Sequence, residues 1–234
     1  MKISPETLKV LQNFATINTN IVFNIDNDEG GSSVIRTRSE ANNIMGVAAL
    51  SEKFPRVGIY DLPEFLSAVF MFDDPEFEFD SSMNFVTISE GRQSVKYYFS
   101  DPEILTFPTK TVKMPKTEVS LFLFDEDLLA IRKAASTFSV SDVIFYSNSG
   151  DPKVHAKVTD MADATSNSYD VEVSDSKQED EDAEFSFSCD ISNLKLMRGH
   201  YEVGISSKLV SHFRSTTLPV EYFIAMEKKS YYKG

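Results

Sequence analysis

One ordering of segments occurs twice along this chain, and few folds can accommodate it: a short helix, a run of strands, a second short helix, then more strands. Ser4 caps the first helix with Pro5 at its opening position, and Leu8, Leu11 and Ala15 with Val10, Phe14 and Ile17 form a broad apolar stripe as far as Asn18. Strand-like runs at 21–25, 34–38 and 44–50 follow, with a hairpin turn at 26–31. Asp61 caps a second helix with Pro63 near its start, and Leu62, Phe65, Leu66, Val69 and Phe70 fill its inner face. Residues 77–79, 85–88 and 95–99 alternate apolar and polar with the period of strands. Pro102, Pro108 and Pro115 then interrupt all periodicity, and the order restarts. The second round has a strand at 119–124, a helix at 125–138, strands at 143–146, 154–158, 169–173 and 184–188, a short helix at 190–197, and strands at 201–205, 213–216 and 220–226. Phe14 and Phe138 lie 124 residues apart and the caps Asp61 and Asp190 lie 129 apart, so the spacing also repeats. The pattern predicts an α+β chain of two similar domains, 1–100 and 118–234, joined by a connector at 101–117, each with two short helices backed by antiparallel sheets.

The residues exclude most chemistry. Gly30 and Gly31 are followed by neither Lys-Ser/Thr nor a helix signal, so no phosphate loop is present. His155, His200 and His212 are scattered without metal-ligand spacing, and no metal or cofactor is expected. Gly204-Ile205-Ser206-Ser207-Lys208 begins like a nucleophile elbow, but Lys208 stands where the second glycine must be. Asp125, Glu126 and Asp127 read as the cap and first turn of a helix rather than as general acids. Residues 170–184 hold eight acids and one Lys, read as a solvated hairpin tip because the calcium-loop pattern is absent. No apolar run is long enough to span a membrane and no signal peptide opens the chain, so the expectation is a soluble protein that is not secreted. The single Cys189 cannot pair internally, which fits a reducing cytoplasm. No catalytic constellation is found, and the expectation is a protein that is not an enzyme.

With 36 acidic against 23 basic residues the formal charge is −13, the reverse of a nucleic-acid coat. The places where acids are missing therefore inform. Residues 7–18, 65–72, 128–138 and 191–200, the four helical regions, contain no Asp or Glu, where about six would be expected in proportion. Beyond their first turns they carry Lys9, Arg132, Lys133, Lys195 and Arg198, with Lys2 one heptad before Lys9, while the second helix has no basic residue. Helices that together face phosphate explain this, and the absence of interleaved aromatics points to backbone attraction without base readout. The alternative is a β-rich viral structural or adaptor protein whose helices are merely buried between sheets.

Residues 11–18 (Leu-Gln-Asn-Phe-Ala-Thr-Ile-Asn), Ile59-Tyr60-Asp61-Leu62 with Phe65-Leu66, and residues 191–197 (Ile-Ser-Asn-Leu-Lys-Leu-Met) with Gly199 and Tyr201 resemble the DNA polymerase sliding clamp of T-even-type bacteriophages. The resemblance implies the DNA clamp fold: two domains per chain, closing edge to edge as a homotrimeric ring with the helices lining the hole. It implies a processivity factor that encircles duplex DNA in the infected host's cytoplasm, with Lys2, Lys9, Arg132, Lys133, Lys195 and Arg198 facing the DNA. The implied partners are the C-terminal tail of the replicative polymerase, an ATP-dependent clamp loader and late-transcription factors. Their implied pocket lies at the connector, with Ile104, Leu105, Phe107, Val112 and Met114 beside Val220, Tyr222 and Ile224.

Overall fold

In the computed structural model, which describes residues 1–26, 28–110, 112–175, 177–178 and 183–234, the chain divides into two units, Met1–Thr111 and Val112–Gly234, each with its own core. In the first unit α1 (Pro5–Ile17) starts where the sequence places its cap, the Ser4 hydroxyl accepting the Thr7 N–H at 3.2 Å. Its stripe buries Val10, Leu11, Phe14 and Ile17. β1 (Ile21–Phe23) pairs with β4 (Val57–Ile59), and β2 (Ser32–Arg38) pairs antiparallel with β3 (Ile44–Phe54). Gly46 of β3 admits the helix, since a Cβ there would stand 2.9 Å from the Phe14 ring. α2 (Leu62–Val69) begins at Asp61, whose carboxylate accepts the Glu64 N–H at 2.8 Å. It turns Leu62, Phe65, Leu66 and Val69 inward, each contributing roughly 1.5–3 kcal/mol. β5 (Glu76–Phe79), β6 (Phe85–Glu90) and β7 (Gln93–Tyr98) form a meander that leaves β7 at its end.

In the second unit β8 (Val119–Leu123) leads into α3 (Asp125–Phe138), which buries Leu128, Ile131, Ala134 and Ala135. β9 (Asp142–Ser147), β10 (Lys153–Thr159) and β11 (Tyr169–Asp175) make an antiparallel meander ending at β11. β12 (Lys177–Gln178) pairs with β8, and β13 (Glu184–Asp190) returns beside β9. The hairpin tip expected in the acidic stretch falls on residues 176 and 179–182, outside the described residues, as does Asn27 of the turn at 26–31. β14 (Tyr201–Ser206), β15 (Val210–Ser215) and β16 (Val220–Ala225) extend from β8, and β17 (Tyr231–Lys233) pairs with β13. Cys189 is fully buried in β13, and that burial pushes its thiol up to about 12.

The helix expected at 190–197 does not form. A single 3-10 turn, Ile191–Asn193, follows Asp190, and the chain then runs on with Leu194 and Leu196 both buried. Inward residues two apart suit extended backbone, and Arg132 holds the segment in place: its guanidinium donates to Leu194 O at 2.7 Å and to Leu196 O at 2.9 Å.

Candidate nucleic-acid and partner interfaces

α1 packs one face inward and leaves Lys9, Gln12 and Thr16 exposed on the other, at the spacing of successive turns. α3 does the same with Lys133, Ser136 and Thr137. Among the described residues neither Lys9 nor Lys133 forms an ion pair, so both ammonium groups remain open to an anion from solution. The other expected basic residues are engaged differently. Lys2 lies before the helix begins, and its ammonium is bonded to Asp74, which raises its pKa. Arg132 turns inward to the two carbonyls, where burial lowers its pKa. The resemblance implies a DNA-facing side chain at this position, and the guanidinium is bonded to these carbonyls instead. Arg198 is exposed but donates to Asp125 at 2.7 Å; that carboxylate also accepts the Gly199 N–H, and the Arg198 bond holds its pKa below the usual range. Lys195 is half-buried between Leu194 and Leu196.

The residues expected at the connector also divide. Leu105 belongs to the first unit's core: it follows the 3-10 turn Pro102–Ile104, and a Cβ on Gly58 would meet it at 2.8 Å. Ile104 is 73% exposed, Val112 is exposed, and Phe107 and Met114 are half-buried. Val220, Tyr222 and Ile224 face the core and cannot line a surface pocket. The outward positions of β16 are Glu221, Phe223 and Ala225, the other parity of the same strand. Phe223 stacks on His212 at 4.4 Å, and His212 Nε2 lies 2.7 Å from Glu221. On the same outer face of β8, β14 and β15 lies an open groove of about 480 Å³ that sequence reasoning missed, lined by Thr117, Phe122, Glu202, Gly204, His212 and Arg214. Its signal was the alternation of β14, where Tyr201, Val203 and Ile205 point inward and Glu202 and Gly204 outward.

Solved structures of DNA clamps match this chain along nearly its whole length. PCNA from A. fulgidus, solved with the C-terminal region of FEN-1 bound, matches with a TM-score of 0.71 over 98% of both chains at 15% identity. The fold is that of the DNA sliding clamps. A family model described as the gp45 sliding clamp, C terminal, matches residues 121–228. The sliding clamp of Vibrio phage KVP40 is 30% identical over 231 residues, spanning 97% of this chain and 99% of that protein. That of Escherichia phage RB69 is 27% identical, spanning 98% of each. The chain belongs to the sliding clamps of T4-like bacteriophages, the processivity factors of DNA polymerase.

Proposed function

We propose that three copies of this chain close into a ring around duplex DNA in the cytoplasm of an infected host, with Lys9 and Lys133 turned toward phosphate. The observation that carries this is the pair of exposed ammonium groups, unpaired among the described residues, on helices that carry no acid beyond their first turns in a chain with net charge −13. Two point charges without aromatic stacking partners attract the backbone weakly and read no sequence, which suits a ring that slides. β7 and β11 stand at the ends of their sheets, one in each unit, so unit one of one copy can continue the sheet of unit two in the next. Replicative polymerase, an ATP-dependent loader and late-transcription factors engage the outer surface, where Ile104, Phe107, Val112 and Met114 offer apolar contact and no catalysis is required. Sedimentation across a dilution series tests the assembly. A species near three times 26.3 kDa that dissociates on dilution supports the ring, and a monomer at every concentration overturns it.

A further inference from the structure

We infer that Arg36 and Arg38, on the outer face of β2, form a carboxylate site that selects acidic peptide segments at the connector end of the first unit. The inference rests on the proposal that partner tails dock beside the connector. Along β2 the side chains alternate: Ile35 and Thr37 are buried toward α1, and Thr37 with Phe14 encloses Gly46. Arg36 and Arg38 therefore stand on the opposite face, with Val47 and Met45 as their cross-strand neighbours. Both Nε atoms are buried with no hydrogen-bond acceptor among the described residues. Arg36 is 13% exposed and reaches Asp26 only at 3.4 Å and 3.5 Å through its terminal nitrogens, while Arg38 forms no ion pair among the described residues. The Nε atoms are closed to solvent, so a docking carboxylate meets the paired terminal nitrogens, and that planar fork matches it in two parallel bonds.

The spacing adds a second constraint. Residues two apart on a strand lie roughly 7 Å apart on one face, so an extended peptide with acids at alternate positions meets both forks in register. The site also adjoins the connector: the Asn18 side-chain amide donates to Arg38 O at 2.9 Å and to Thr106 O at 3.4 Å, next to half-buried Phe107. Val34, Val47 and Ala49 share the outer face and supply apolar contact. α1 and Lys9 lie across the strand, so duplex DNA held by that helix does not reach these arginines. On a chain of net charge −13, which repels acidic peptides generally, a local pair of arginines decides where one can dock.

The probe is a fluorescein-labelled synthetic peptide copying the C-terminal segment of the polymerase encoded with this clamp, beside a copy with every Asp and Glu changed to Asn and Gln. By anisotropy, Arg36→Gln with Arg38→Gln should weaken the acidic peptide about tenfold and flatten its salt dependence, leaving the neutral copy unchanged. Arg36→Lys with Arg38→Lys keeps the charge and loses the fork, so it should fall between, and it serves if the Gln variant does not fold. Equal binding of the acidic peptide by wild type and both variants overturns the inference while leaving tail docking intact. Absence of wild-type binding overturns both. Displacement of the acidic peptide by a short duplex, abolished in the Gln variant, would assign the pair to phosphate and also overturn it.

Discussion

Arg132 and Lys133 are adjacent in sequence and opposite in role. The guanidinium of Arg132 ties α3 to the segment after the 3-10 turn through two carbonyls, and the ammonium of Lys133 stands in solvent. Arg132→Met should cost about 2–3 kcal/mol, because both carbonyls lose a charged donor. Lys133→Met should change stability by less than about 0.5 kcal/mol. Urea unfolding of both variants measures the difference. Helix periodicity could mark both as basic and beyond the first turn, but not which one turns inward, since Arg132's partners lie more than sixty residues away. Glu52 was equally invisible in the sequence. Burial raises its pKa, but bonds from the Thr7 hydroxyl, at 2.6 Å, and the Ser4 N–H outweigh burial and lower the carboxyl below 4.5. A depressed folded pKa means stability that is present above the unfolded value and lost as pH falls through the folded one. The wild type should therefore lose urea resistance below pH 4.5, and Glu52→Gln should lose less over the same window.

At the scale of elements, caps and periods carried much of the fold. Ser4-Pro5 and Asp61 open α1 and α2 where the sequence places them, and α3 spans the expected residues. The failures share a cause. The segment after Asp190 was read from local pattern and the pocket role of Val220, Tyr222 and Ile224 from the resemblance, and in both the choice is made by a neighbour. Arg132 claims the carbonyls of the first, while β15 and the core behind it fix which alternate residues of the second are buried. Val220, Tyr222 and Ile224 are therefore inside, and Phe223 on the other parity is also buried, stacked on His212. Helix-to-sheet contact in the first unit depends on Gly46. Gly46→Ala drives a methyl to within 2.9 Å of the fully buried Phe14 ring, which has no room to swing away. A loss of about 1–3 kcal/mol in urea unfolding is expected, while an exposed Gly30→Ala control loses less because nothing lies near its Cβ.

At the scale of the whole molecule, the doubled order of segments made two units legible before any coordinates and the helices without acids beyond their first turns pointed to phosphate, while the clamp family came from the resemblance around residues 11–18, 59–66 and 191–201. What they left unread is the division of labour among the basic residues and the peptide surface, which depend on pairings across long sequence distances. The central claim is topological: a weakly attracting, acidic protein stays on DNA because the ring is closed. The most direct test loads the clamp onto nicked circular DNA with its loader and ATP, raises the salt, and then cuts the circle. Retention on the circle followed by loss on linearisation is the predicted result, with Lys9→Glu and Lys133→Glu together impairing loading. Equal retention on circular and linear DNA, or release from the intact circle as soon as salt is raised, would contradict it.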